Sequence, residues 1–159
     1  MSEHDRPTRE ELLAHEDDIL RGLLAAARYK EDQQVTITIS RKGTKLFSFR
    51  IRPLSEDEYN ECRERASSYE ANPRLGGIRM PVAVDTAKYR SLLIYTATVS
   101  EDRAALWDNK AIWEELNVVS GWQVIDKVLL AGEKDAILAK LDEISGYGTS
   151  LSLEEVAKN

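Results

Sequence analysis

Near the N-terminus, apolar residues recur every three or four positions among charged ones. This spacing is typical of one face of a helix. Thr8 and Glu11 precede the apolar run with the spacing of a capping box, in which each side chain binds the backbone of the other residue. We therefore predict a helix from about Pro7 to Lys30. Its apolar positions are Leu12, Ile19, Leu20, Leu23, Leu24 and Ala27.

A β-hairpin is predicted directly after this helix. Val35–Ile39 alternates apolar and polar residues in a β-branched run, and Phe47–Ile51 alternates again. The residues between them, Arg41-Lys42-Gly43-Thr44, have the composition of a tight turn. Pro53 closes the second strand, because proline cannot donate to a strand ladder. The alternation predicts a hairpin with one buried face.

The middle of the chain is predicted to contain a second helix and a loop. Ser55 and Glu58 form another capping-box pair, and the pattern after them favours a helix to about Tyr69. Ala71–Gly77 is rich in residues that interrupt regular structure. Ile78–Val84 follows in extended form, either as a connector or as a third strand.

The C-terminal half is predicted to be mostly helical. Asp85 can cap the first of its helices, Ala131-Gly132 is expected to interrupt the pattern, and Gly146 suits the left-handed residue after the last helix. The predicted helices are Thr86–Val99, Asn109–Leu116, Ser120–Leu130 and Glu133–Ile144. The fold class is therefore α+β: an N-terminal helix, a β-hairpin with a third strand as an option, and a mostly helical C-terminal half. We place a single domain at 1–148 and a short C-terminal tail at 149–159.

Composition limits the class of protein. The 159 residues are 42% hydrophobic, which suffices for one domain with a core. A single cysteine excludes an internal disulfide and a cysteine-based zinc site. No apolar run has membrane-spanning length and the N-terminus lacks the pattern of a signal sequence, so we expect a cytoplasmic protein with no membrane partner. The net charge of -6 argues against general nucleic-acid binding.

Charge is segregated along the chain. Residues 1–20 contain seven acidic and two basic residues, whereas 35–54 contains five basic residues and no acidic one. One interpretation is a solvated acidic helix face beside a basic hairpin, since charge segregation is common on surfaces. The other is that the basic hairpin meets an acidic partner, or the protein's own N-terminal helix. The basic residues that we take as candidates for partner binding are Arg41, Lys42, Arg50 and Arg52.

Residues suited to catalysis are sparse. His4 and His15 lie near carboxylates, but solvated surface histidines fit their positions better than ligands or bases. Cys62 has arginines nearby that could lower its pKa, yet no histidine accompanies it, and an inert, partly buried cysteine is favoured. Gly76-Gly77 lacks the lysine and the spacing of a P-loop, and no Gly-x-Ser-x-Gly motif occurs. We predict no catalytic, cofactor-binding or metal site, and therefore no enzyme.

Three tryptophans, Trp107, Trp113 and Trp122, fall within sixteen residues of each other. Such residues most often anchor a core, but tryptophan is also enriched among interface hot spots. Trp122 belongs to a strongly apolar predicted helix and is assigned to the core. Trp107 and Trp113 lie in less regular sequence, and they are the better candidates for a groove that binds a partner helix.

Short motifs follow one another in order from the hairpin to the end of the last predicted helix. They are Phe47-Ser48-Phe49-Arg50-Ile51-Arg52-Pro53, Leu54-Ser55-Glu56-Asp57-Glu58-Tyr59, Ala97-Thr98-Val99, Leu129-Leu130-Ala131-Gly132-Glu133 and Ile144-Ser145-Gly146-Tyr147. In order and spacing, over residues 10–148, the chain resembles the XkdN-type tail assembly chaperones of contractile-tailed phages and defective prophages. The loop at Asn72–Val84 and the stretch around Trp107 and Trp113 are less typical of the family, which has no catalytic residues to carry over.

The resemblance implies a protein that binds the tape-measure protein, the long and largely helical ruler inside a growing tail. It would keep that protein soluble in the host bacterial cytoplasm until the tail tube polymerises around it. The tail tube protein is a second candidate partner, and self-association in multiple copies is a further option. Two alternatives stay open: a permanent structural component of the tail or baseplate, and a generic protein-interaction adaptor.

Overall fold

Helices and two strand pairs make up most of residues 6–148, which are the residues that the computed structural model describes. The α+β class is as predicted. The helices are α1 (Arg9–Asp32), α2 (Glu56–Ala66), α3 (Thr86–Ala97), α4 (Ser100–Asp102), α5 (Lys110–Leu116), α6 (Gly121–Val128) and α7 (Ala131–Ile144). The strands are β1 (Val35–Arg41), β2 (Thr44–Ile51), β3 (Ser67–Asn72) and β4 (Ile78–Val84). A 3₁₀ turn at Pro73–Leu75 joins β3 to β4, and a π-helical turn at Arg103–Trp107 continues α4.

The chain divides into two compact units, one ending at Gln33 and the other beginning at Gln34. The first unit contains α1, and the second contains the strands and the remaining described helices. The single domain expected at 1–148 stays a prediction. The tail expected at 149–159 lies outside the described residues.

Helix α1 begins with the predicted capping box. The Glu11 backbone N–H donates to the Thr8 hydroxyl (3.2 Å), and the Thr8 backbone N–H donates to the Glu11 carboxylate (2.9 Å). The helix ends at Asp32, slightly beyond the predicted end. Its leucine and isoleucine side chains are 41–65% exposed.

Strands β1 and β2 form the predicted antiparallel hairpin. Lys42 and Gly43 have φ angles of 53° and 77°, as the two central residues of a type I′ turn require. Apolar side chains face each other across the strands, and Phe49 and Ile51 among them are buried. The prediction of one buried face is confirmed. The facing pairs are Val35 with Ile51, Ile37 with Phe49, and Ile39 with Phe47.

Strands β3 and β4 form a second two-stranded antiparallel sheet. The prediction that α2 continues to Tyr69 is wrong, because the helix ends at Ala66 and Ser67 is extended (φ -88°, ψ 141°). The Ser67 hydroxyl donates to the Arg63 carbonyl (2.7 Å), a local side-chain bond that competes with continued helix. Pairing with β4 then holds the following residues extended. The strand option over Ile78–Val84 is confirmed.

Helix α3 is central to the core of the second unit. It contacts α2, α6 and α7, and its Leu92 and Ile94 are completely buried. Asp85 caps its N-terminus by accepting a hydrogen bond from the Lys88 backbone N–H (3.0 Å), as predicted. The residues after α3 continue along the free edge of β2, where Val99 N–H donates to the Arg50 carbonyl (3.0 Å). This edge pairing connects the hairpin to the helical half.

The last three helices match the predicted ones, with shifted ends. Asn109 caps α5 and is not its first residue. The predicted interruption at Ala131-Gly132 is wrong, because these residues begin α7 and the break lies at Leu129-Leu130. The Glu133 carboxylate makes this early start favourable by accepting a hydrogen bond from the Leu130 backbone N–H (2.7 Å). Gly146 has a φ of 96°, so the left-handed residue after the last helix is confirmed.

The Arg52–Glu58 ion pair makes the stability of the fold sensitive to acid. Arg52 donates to both oxygens of the Glu58 carboxylate (3.1 and 2.6 Å), and the Ser55 backbone N–H also donates to it (3.1 Å). Burial raises the pKa of Glu58, but these hydrogen bonds outweigh it and bring the pKa from its ordinary 4.5 to about 2. A carboxylate with a lowered pKa stabilises the fold above its unfolded pKa. That stabilisation is lost as the pH falls from 4.5 towards about 2.

Glu58→Gln is expected to lower the free energy of unfolding near neutral pH by about 1–2 kcal/mol, since it removes a charged hydrogen-bond acceptor. Glutamine can still complete a capping box, so the helix start is kept. Urea unfolding across the acid range should show a flatter pH dependence than in the wild type. Glu56→Gln, at an exposed position of the same helical turn, is the matched control. Equal pH profiles for wild type and Glu58→Gln would contradict this assignment.

Candidate partner-binding surface

An open cavity of about 160 Å³ lies among β2, the π-helical turn, α5 and α6. We call it the apolar groove, because no charged side chain lines it. Its volume is close to that of an apolar protein cavity of about 150 Å³ that binds benzene. The groove can therefore accept one large apolar side chain. Its lining residues are Phe47, Leu106, Trp107, Ile112, Val124 and Val128.

The helical segment at Ser100–Trp107 shapes one wall of the groove. The Asp108 backbone N–H donates to the Arg103 carbonyl, five residues earlier (2.7 Å), which is the hydrogen-bond pattern of a π-helical turn. The acidic residues Glu101 and Asp102 lie in α4 and lead directly into this turn.

Trp107 lies in the core and lines the groove from below. Its side chain is 2% exposed, and its Nε1–H donates to the buried Thr98 hydroxyl (2.9 Å). The rings of Phe47 and Phe49 meet it edge-to-face, with centroid separations of 5.9 and 5.2 Å. This is an arrangement that aromatic pairs prefer. The surface that Trp107 can offer a partner is therefore confined to the groove.

The other two tryptophans are partly buried against the core. Trp113 donates its Nε1–H to the Trp107 carbonyl (2.6 Å), and the Lys110 ammonium lies 3.4 Å from the centroid of its ring. Trp122 packs on the core as expected, with Lys88 5.3 Å from its ring centroid. The six-membered set predicted to bind a partner thus includes one buried and one half-buried tryptophan. Its partner-binding role stays a prediction.

Arg41 links the hairpin to the end of α6 and the start of α7. Its guanidinium donates to the Val128 carbonyl (2.7 Å) and to both oxygens of the Glu133 carboxylate (2.7 and 3.1 Å). The hydrogen bonds from Arg41 are the main cause of a lowered pKa at Glu133. Because Val128 lines the apolar groove, Arg41 lies at its border.

The other basic candidates differ in their surroundings. Arg50 donates to Asp102 through its side chain (3.1 Å) and its backbone N–H (2.7 Å), and these bonds lower the pKa of Asp102. Arg52 pairs with Glu58. Lys42 is exposed in the hairpin turn and makes no ion pair within residues 6–148. The hairpin arginines therefore contact carboxylates of their own unit. The distribution of charge along the sequence did not suggest these partners.

The groups considered for catalysis are dispersed. Cys62 is buried, and burial raises the pKa of its thiol, which keeps the nucleophilic thiolate scarce. His15 is exposed, and His4 lies outside the described residues. In the part of the chain that the structure describes, no three His, Cys, Asp or Glu side chains are placed to hold a metal ion. None of the described helices has both the length and the hydropathy of a membrane span.

Most of the residues that line the groove could not be predicted from the sequence. Val124 and Val128 lie four residues apart in the strongly amphipathic α6, so their helical spacing was the available signal. Leu106 gave no signal, because the segment between α4 and α5 has no regular apolar period. Ile112 lies in α5, a helix of seven residues that is too short to show one. Phe47 was recognised, but as a member of the buried hairpin face.

The chain matches the family described as Phage XkdN-like tail assembly chaperone protein, TAC, over residues 20–158. A match over this share of the chain establishes the class: the protein belongs to the XkdN-like tail assembly chaperones of phages. The resemblance found in the motifs is thereby confirmed. A crystal structure of the protein YqbN, a structural genomics target, is similar at 16% identity with a TM-score of 0.43, and the similarity covers 72% of this chain and 87% of that one. No curated protein matches the chain.

Proposed function

We propose that the protein binds the tape-measure protein of its phage and keeps it soluble until the tail tube polymerises around it. Family membership supplies the class of tail assembly chaperone. The tape-measure partner, the action in the host bacterial cytoplasm and a role without catalysis are parts of the proposal.

The apolar groove is the observation that carries the proposal. A long helical ruler with apolar stripes would self-associate in water before the tube encloses it. Ile112, 37% exposed, lies at the groove and is accessible to an incoming side chain. A ruler helix that places a leucine or an aromatic ring in the groove would follow the helix-in-groove mode of recognition.

The predicted partner-binding residues have different parts in this proposal. Trp107 forms the apolar base on which the incoming side chain rests. Two residues flank the bound helix: Arg41, which contacts Val128, and Trp113, which follows Ile112 in α5. Lys42 lies beside Arg41 at the same end of the hairpin. Arg50 and Arg52 act at the other end of β2, where their ion pairs hold the strand that carries Phe47.

A single groove of this size gives a weak contact, which suits the task. Several chaperone molecules along one ruler would each cover a short stripe and add negative charge, since the chain carries a net charge of -6. Closely spaced binding sites raise the effective local concentration without tightening any single contact. Polymerising tube subunits can then displace the chaperone one molecule at a time.

Co-expression with the tape-measure protein of the same phage tests the proposal. The soluble fraction of the tape-measure protein should rise when the chaperone is present. Ile112→Glu places a charge at the groove, and it should remove most of this gain and weaken binding by about tenfold or more. Ala111→Glu adds the same charge at the preceding exposed position of α5, and it should leave the gain intact.

Two results would contradict the proposal. The chaperone role fails if the tape-measure protein is equally soluble alone. Recovery of the protein in stoichiometric amounts from mature particles, measured by mass spectrometry, would identify a permanent tail component.

A further inference from the structure

We infer that helix α1 pairs with α1 of a second copy of this chain, in antiparallel orientation, and so forms a homodimer. The inference concerns the first unit alone. It does not depend on the identity of the tape-measure partner proposed above.

Helix α1 carries one broad, mainly apolar face. At 100° per residue, its leucines and isoleucine and two of its alanines fall within an arc of about 160°. Glu16 lies near the middle of this arc, and Arg9 and Glu31 lie in it at the two ends of the helix. The leucine and isoleucine side chains are 41–65% exposed. A helix of 24 residues is about 36 Å long, so this face extends over several turns. The face comprises Leu12, Leu13, Ile19, Leu20, Leu23, Leu24, Ala26 and Ala27.

Charge changes sign along the same helix. Residues 10–18 contain five acidic residues and no lysine or arginine, whereas residues 19–29 contain two arginines and no acidic residue. Four of these charges lie within about 40° of one another on one flank of the apolar face. In chain order they are Glu10, Asp17, Arg21 and Arg28. This flank is therefore acidic in its first half and basic in its second half.

The order of charges selects the antiparallel arrangement. In a parallel pair this flank would face the opposite flank of the partner helix, which carries no lysine or arginine to meet Glu10 and Asp17. An antiparallel pair centred on Ile19 places Glu10 opposite Arg28 and Asp17 opposite Arg21, so that every facing pair has opposite charges. Arg21 also contacts Asp18 of its own helix (2.6 Å), but both side chains are at least 70% exposed and such a pair exchanges easily.

Self-complementarity favours a second copy over another occupant of this face. A two-fold symmetric interface presents the same surface on both sides, so each acidic position needs a basic position in the same sequence. The flank of α1 meets that requirement with two acidic and two basic residues. A partner of different sequence would impose no such pattern.

Charge reversal in the full-length chain tests the pairing. Sedimentation velocity over a range of concentrations should show a dimer of the wild type. The double variant Glu10→Arg, Asp17→Arg should weaken dimerisation by about tenfold or more. Adding Arg21→Glu and Arg28→Glu to that variant should restore it, because the antiparallel pairs are then rebuilt with opposite signs. In a parallel dimer these four positions do not face one another, so the second pair of substitutions should not compensate for the first.

A second pair of variants tests the apolar face. Leu20→Glu should abolish dimerisation, whereas Ala25→Glu, on the opposite side of the helix, should leave it unchanged; circular dichroism verifies that helix content is kept. A wild type that stays monomeric at about 100 µM, or a dimer that ignores the charge reversals, overturns the inference. The inference is also overturned if the wild type is a monomer and Leu20→Glu no longer solubilises the tape-measure protein. That result would assign the face to the tape-measure protein.

Discussion

Trp107→Ala is expected to lower the free energy of unfolding by about 3–5 kcal/mol, the usual cost of truncating a buried tryptophan. The side chain is 2% exposed, and its removal leaves a cavity against Phe47 and Phe49. The buried Thr98 hydroxyl loses its donor at the same time. Unfolding in urea, monitored by circular dichroism, measures the loss. Because this cost is a large part of a typical domain's stability, much of the variant should be unfolded at 37 °C.

Two further variants show what the loss in Trp107→Ala depends on. Trp107→Phe keeps an aromatic ring in the core but removes the hydrogen bond to Thr98, so its cost should be smaller than that of alanine. Trp113→Ala truncates a ring that is only partly buried, and it should also cost less than Trp107→Ala. An equal effect of the alanine substitutions at Trp107 and Trp113 would show that Trp107 is not the principal aromatic residue of this core.

Gly121→Ala is expected to lower the free energy of unfolding by about 2–3 kcal/mol through steric overlap. A Cβ atom at this position would lie 2.5 Å from Tyr95 Cε2 and 2.6 Å from an Asp108 carboxylate oxygen. Neither side chain is free to move away, because the Tyr95 hydroxyl donates to the Asp108 carboxylate (2.9 and 3.1 Å). The substitution should therefore disturb the segment that follows Trp107, and with it the apolar groove.

Gly132→Ala is the matched control for this prediction. It lies near the start of α7, and a Cβ atom there meets no atom within 4 Å. Alanine has the higher helix propensity, so the variant should be more stable than the wild type by up to about 1 kcal/mol. Differential scanning calorimetry should show shifts of opposite sign for the two substitutions. Similar shifts would mean that Gly121 is not closely packed.

Much of the local structure could be predicted, because it depends on residues close together in the chain. Both capping boxes lie within four consecutive residues, and the hairpin turn needs only two residues with positive φ. Hydrophobic spacing likewise located α3, α6 and α7 to within a few residues. The end of α2 was misplaced, because Ser67–Asn72 is extended through pairing with β4 and not through its own propensity.

The candidate site was harder to predict than the fold. Trp107 was identified as important, but its irregular neighbourhood suggested exposure, and the hydrogen bond to Thr98 that holds it in the core cannot be seen in the sequence. The arginines of the hairpin were recognised as a charged set, but their partners were not. Arg41 and Glu133 are 92 residues apart in the chain, and no local pattern joins them.

The sequence by itself determined the starts of α1, α2 and α3, the hairpin and the family, since each rests on short motifs or on their order. Tertiary structure alone decided which apolar residues form the core and which line a groove, and which carboxylate each arginine contacts. The physical reason is distance along the chain. Caps and turns are fixed by backbone bonds within a few residues, whereas burial and ion pairing depend on segments that meet only when the core has formed.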